Sequence, residues 1–196
     1  QYVRMSLSER IQHGVLAISF ITLVITGFML KFPDAWWAAP IRQWSEKLFS
    51  VRGLVHRIAG VALIGVSVYH LYYILFVSRG KQLRRGLMPK LLDMRESWGV
   101  VRYYLGRSKS KPKFGRFAYP EKAEYWALIW GVVVMGGTGI ILWFNNYFMR
   151  LLTLLGWDVA QAIHYYEAWL ATLAVLVWHF YFVIFNPNVC LLYTSD

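Results

Sequence analysis

Four stretches of the chain are apolar and nearly free of charge: residues 11–30, 51–77, 125–144 and 160–185. Each reaches the roughly 20 residues that a helix needs to cross a hydrocarbon core. In lipid, only helices and closed barrels satisfy their own backbone. These runs are too long and too continuous for barrel strands, which alternate over about 10 residues. The pattern therefore predicts an all-α fold, a four-transmembrane-helix bundle. A long polar segment from Ser78 to Lys122 separates the second run from the third. Within it, MPKLLDMRESWGVVRYYLG mixes apolar and basic positions and predicts a short helix lying on the membrane surface. The stretch KSKPKFG, from Lys109 to Gly115, reads as a flexible connector, and no internal repeat is obvious.

Charge then orients the bundle. Lys and Arg crowd the 78–122 segment, Arg79, Lys81, Arg84, Arg85, Lys90 and Arg95 among them, whereas the connection between the third and fourth runs holds Arg150 and Asp158. The positive-inside rule makes the long basic loop between helices two and three cytoplasmic, and both termini with it. Trp36, Trp37 and Trp157 then fall near the outer interface, where aromatic belts sit. Composition agrees: 58% of the residues are hydrophobic, against roughly 45–50% in soluble domains. The net charge of +11 suits loops beside anionic lipid. It argues against nucleic acid as a partner, because the basic residues do not lie on a soluble fold. The lone Cys190 excludes a disulfide framework or a cysteine-based metal site. The first apolar run is too long for the core of a signal peptide.

All five histidines, His13, His56, His70, His164 and His179, fall within the predicted spans. Ionisable residues in a bilayer are costly and face the protein interior. His56 and His70 are fourteen residues apart, and His164 and His179 fifteen. At about 1.5 Å per residue each pair spans about 21–23 Å, close to four whole turns and so broadly one face. The second and fourth helices run in the same direction, which puts His56 and His164 at one level near the outer face. His70 and His179 lie at a second level nearer the cytoplasm, and His13, early on the first helix, belongs to that level too. Two levels of facing imidazoles are what two stacked haems need for axial ligation. A zinc or copper site wants its ligands in one small shell. A proton relay wants intramembrane Asp or Glu, for which Glu167 is the candidate. Spacing leaves open whether His13 or His70 serves the inner level. Glycines such as Gly14, Gly27, Gly60 and Gly139 suit either a haem face or close helix packing. Arg10, Arg52 and Arg57, beside His13 or His56, suit haem propionates or lipid headgroups.

The residues also resemble a known family. SERIQHGVLAISFITLVITG resembles helix one of the di-haem cytochrome b family, the membrane subunits of formate dehydrogenases, nickel–iron hydrogenases and thiosulfate reductases. VRGLVHRIAG resembles its second helix, EKAEYWALIWGVVVMGGTGIILW its third, and IHYYEAWLATLAVLVWHFYFVIFNP its fourth. The resemblance implies a cytochrome b membrane domain over residues 1–189 in a bacterial inner membrane. It implies two haem b groups, one held by His56 and His164 and the other by His13 and His179. It favours His13 over His70, which becomes the alternative inner ligand or a residue supporting a ligand or quinone. Gly14 departs from the family, which often has Trp after this His. The ending also departs, and LLYTSD resembles translated adapter sequence, so residues 190–196 are expected to be non-native.

The expected function is electron transfer between the quinone pool and a partner, such as a multihaem c-type cytochrome or an oxidoreductase subunit. Quinone or quinol is the expected substrate, and Tyr72, Tyr73, Tyr165, Tyr166 and Glu167 are candidates for its site. There is no CxxCH motif, P-loop or flavin fingerprint. Two alternatives stand beside this reading. One is a stand-alone haem reductase resembling the cytochrome b561 group. The other is a haem-free transporter or assembly protein, against which the lack of intramembrane Asp and of broken-helix repeats argues.

Overall fold

The computed structural model describes residues 5–110, 117, 119–151, 154–181 and 184. Cys190 with the 190–196 tail, most of the 109–115 connector and the last residues of the fourth apolar run lie outside the described residues. The described residues are helical, with no strand among them. They form α1 (Leu7–Lys31), α2 (Ala39–Trp44), α3 (Glu46–Ser50), α4 (Arg52–Phe76), α5 (Ser78–Leu87), α6 (Leu91–Tyr104), α7 (Tyr119–Trp143), α8 (Asn145–Leu151) and α9 (Leu154–Leu173). Beyond α9 the chain continues in a wider, π-helical turn over Ala174–His179.

Helices α1, α4 and α7 are each long and apolar enough to cross a membrane. The fourth apolar run is divided between α9 and the π turn. Helix α1 begins four residues before its apolar run, because a cap rather than hydropathy starts it. The Ser6 backbone N–H donates to Glu9 Oε2 at 2.6 Å, and the Glu9 N–H donates to Ser6 Oγ at 3.3 Å. This reciprocal box satisfies donors that a helix start leaves open. Glu9 in the first turn and Lys31 in the last also complement the helix dipole. Helix α7 likewise starts early, at Tyr119, with Pro120 in its first turn, where a missing N–H costs nothing.

The chain forms two compact units. The first comprises residues 1–70 and 132–196, and its burial is inverted relative to a water-soluble protein. On α1 the buried positions are Glu9, Gln12, Ser19, Thr26 and Met29. Ile11, Ile18, Ile21 and Ile25 point outward; Ile18 is 69% exposed while its neighbour Ser19 is 5% exposed. Ile58, Val61 and Val68 on α4 are also outward. In water such a surface would be a large apolar patch; in lipid it is the favourable arrangement, with polar groups turned inward. Helix α9 repeats the device: Ile163, Tyr166, Leu170 and Leu173 are exposed at helical spacing, and Val177 continues the row into the π turn. A small core of Met29, Ala38 and Phe49, flanked by Ala35 and Trp37, closes the turn from α1 through α3.

The second unit comprises residues 71–131. Helix α4 ends where Val77 turns to an extended conformation and begins α5. Gly80 packs against the Tyr73 carbonyl so closely that any Cβ there would collide with backbone. The segment expected to form a surface helix is helical, as α6. Trp126 Nε1 donates to the Leu87 carbonyl at 3.0 Å, and Lys122 Nζ donates to Asp93 Oδ1 at 2.6 Å. These bonds tie the start of α7 to α5 and α6.

Candidate functional site

Two pairs of histidines face each other in the first unit. The rings of His56 (α4) and His164 (α9) have centroids 6.4 Å apart, with an interplanar angle of 69°. Those of His13 (α1) and His179 (π turn) are 6.2 Å apart, with an angle of 30°. An iron bound between two imidazoles at about 2.0–2.1 Å from a nitrogen of each would put the centroids roughly 6 Å apart. Both pairs have that separation.

Of the two residues that spacing leaves open for the second level, His13 has its ring 6.2 Å from that of His179. His70 Nδ1 lies 2.8 Å from Gln12 Oε1. Gln12 is buried and its Nε2 donates to Ser8 Oγ at 3.1 Å. His70 is thus built into a polar chain beside His13.

The π turn decides how His179 meets His13. Fifteen residues of regular helix overshoot four turns by about 60°. A turn of i→i+5 geometry absorbs roughly one residue, so His179 returns toward the face that carries His164. Such turns cluster at functional sites. The fifteen-residue spacing was the only trace of it in the sequence.

The first pair has seats that sequence reasoning missed. Thr26 Oγ1 is 2.9 Å from His56 Nδ1, and Thr138 Oγ1 is 2.9 Å from His164 Nδ1. The glycine after each threonine gives the ring room. A Cβ on Gly27 would lie 3.2 Å from His56 Cε1, and one on Gly139 would lie 3.4 Å from His164 Cε1. The signal was present as a Thr-Gly dipeptide at 26–27 and again at 138–139. By contrast, Gly14, Gly65 and Gly137 have no heavy atom within contact distance of an added Cβ.

The basic candidates separate. Arg10 is exposed and its Nε donates to the Met5 carbonyl at 3.3 Å. Arg57 is exposed and lies over the Trp143 ring at 5.5 Å. Arg52 is held one turn before His56: it donates from Nη1 to the Phe49 carbonyl at 2.7 Å and stacks on the Phe49 ring at 4.0 Å. Its Nε is buried with no hydrogen-bond partner among the described residues, as is Trp157 Nε1. Unsatisfied buried donors are costly, and these two stand on the helices that carry His56 and His164. An acidic group on a bound cofactor fits that need. Among the quinone-site candidates, Tyr165 packs under Lys31 at 5.0 Å and beside Phe32, while Tyr72 packs on Phe76.

Long apolar helices, polar groups turned inward and paired imidazoles define a class, the helical membrane haem protein. Residues 4–191 match the model of the prokaryotic cytochrome b561 family, and the chain belongs to that family. It is also similar to the formate dehydrogenase cytochrome b556 subunit of Haemophilus influenzae, at 24% identity over 179 residues, covering 91% of this chain and 69% of that protein. No solved structure matches the chain. The protein is thus a b-type membrane cytochrome of electron transfer.

Proposed function

We propose that the chain is a four-span, di-haem cytochrome b of the bacterial inner membrane that carries electrons between the quinone pool and a partner redox protein. His56 and His164 would hold the outer haem, and His13 and His179 the inner one. The observation that carries the reading is the pair of imidazole separations, 6.4 and 6.2 Å. Two bound haems would supply one-electron centres at two depths of the membrane. The protein's own residues ligate, orient and exclude water: the histidines present paired nitrogens, Arg52 and Trp157 offer buried donors, and the outward isoleucines and valines face lipid. The continuous outward row on α9 supports a fourth span, and with it the N-in, C-in topology. The similarity to a formate dehydrogenase subunit supports an oxidoreductase as partner; a multihaem c-type cytochrome is the other candidate.

The test is the reduced-minus-oxidised spectrum of the detergent-purified protein, with a pyridine haemochrome count. About two b-haems per chain are expected. The His13→Ala variant should keep one, and His70→Ala should keep both. A haem-free protein after haem-supplemented expression would sink the reading. Quinol oxidation or quinone reduction that requires a partner separates it from a stand-alone b561-like reductase.

A further inference from the structure

We infer that Thr26 and Thr138 are matched positioning residues that fix the proton of His56 and His164 on Nδ1 and so present Nε2 of each as the free lone pair. The inference rests on the di-haem reading above and deepens it.

A hydroxyl has one proton and two lone pairs. Thr26 Oγ1 donates to the Thr22 carbonyl at 2.6 Å, and Thr138 Oγ1 donates to the Val134 carbonyl at 2.7 Å. Each also approaches the carbonyl three residues back, Leu23 at 3.5 Å and Met135 at 3.4 Å. A carbonyl can only accept, so each hydroxyl proton is committed to its own helix. What the hydroxyl offers the ring at 2.9 Å is therefore a lone pair. Nδ1 must be the donor. A neutral imidazole carries one N–H, so Nε2 is left as the acceptor, which is the form that binds a metal.

The arrangement occurs twice with the same parts. A Thr-Gly pair late in one apolar helix, α1 or α7, seats a histidine of the next, near the start of α4 or midway along α9. The threonine sets the tautomer together with a backbone carbonyl that also accepts from the ring, Leu23 for His56 and Met135 for His164. The glycine lets the ring lie against the backbone, since a Cβ would stand 3.2 or 3.4 Å from Cε1. Two rings are thus aimed at each other by devices on two other helices.

A hydrogen bond accepted from the distal ring nitrogen raises the basicity of the ligating one. That favours ferric over ferrous iron. Removing the acceptor should shift the balance toward the ferrous state and raise the midpoint potential.

The experiment uses the full-length, haem-loaded protein in detergent, as wild type and as Thr26→Val, Thr138→Val, Thr26→Ser and Thr138→Ser. Valine keeps the shape and removes the hydroxyl; serine keeps the hydroxyl. Haem is counted by pyridine haemochrome and the potentials by redox titration. In each valine variant one of the two potentials should rise while the other stays. A tenfold change in ferric-over-ferrous preference is about 59 mV for a one-electron couple. If a valine variant instead loses one haem, the serine variant should restore it. Two bound haems with both potentials unchanged in both valine variants would overturn the inference. So would a loss that serine does not repair. A wild type that binds no haem overturns the cytochrome reading itself, and that is seen before any variant is compared.

Discussion

The two histidine pairs share a separation and differ in how it is achieved. His56 and His164 meet across 6.4 Å because each ring is seated on a neighbouring helix, by Thr26 with Gly27 and by Thr138 with Gly139. His13 and His179 meet across 6.2 Å because the backbone itself is irregular, turning wide over Ala174–His179. The first pair has side-chain seats on neighbouring helices, and the second stands where the main chain turns wide. Their ring planes differ accordingly, at 69° and 30°. A pair aimed by local seats tolerates changes in helix phase elsewhere. A pair aimed by helix phase does not.

The largest expected effect breaks the second pair alone. One alanine inserted between Leu173 and Ala174 rotates His179 by about 100° relative to α9. If each pair holds a haem as proposed, the insertion should abolish the one at His13–His179 and leave the one at His56–His164, so the haemochrome count falls from about two to about one. Retention of both would show that the wide turn does not set the phase.

A smaller, graded effect tests the first pair. Gly27→Ala puts a methyl 3.2 Å from His56 Cε1, tighter than ordinary contact, so the ring must tilt. Gly139→Ala puts one 3.4 Å from His164 Cε1, at the edge of ordinary contact. Gly27→Ala should therefore lower occupancy of that haem more than Gly139→Ala, read by titrating haem into the apoprotein. A reversed order would mean the seats are not what they appear from the glycine geometry.

Much of this was legible in the sequence because lipid imposes simple rules. Continuous apolar runs marked α4 to within a residue at each end, and five histidines in such runs pointed to paired ligands. The boundaries of α1 and α7 were less legible, because Ser6 with Glu9 and the proline turn at 120 start those helices in polar sequence. Hydropathy marks where lipid begins, not where hydrogen bonding does. The family resemblance favours His13 over His70 for the inner level; in three dimensions the His13 ring lies 6.2 Å from that of His179, while His70 Nδ1 lies 2.8 Å from Gln12 Oε1. Arg52 is as near the histidines in sequence as Arg10 and Arg57, yet its Nε is buried. The threonine seats were written as two dipeptides among many small residues. Thr26 and Thr138 became readable only once the histidines facing them were placed.

The smallest effect concerns the second unit, which holds the Lys122–Asp93 ion pair. The Lys122 ammonium, bonded to Asp93 at 2.6 Å, holds the Asp93 carboxyl below its usual value, and the Lys90 N–H at 2.7 Å adds to this against a partial opposing effect of burial. A carboxyl with a lowered folded value stabilises the fold above its unfolded value, about 3.9, and that contribution is lost as pH falls through the lower folded value. Both side chains are largely covered, 10% and 15% exposed, so salt should screen the pair less than an open surface pair. Hydrogen exchange at the start of α6 should therefore be flat with pH, once intrinsic rates are divided out, down to about pH 4, and accelerate below it. Asp93→Asn should raise exchange there at neutral pH and remove the acid-dependent rise, while leaving the haem count of both histidine pairs untouched. An unchanged acid profile in Asp93→Asn would assign the sensitivity to another group.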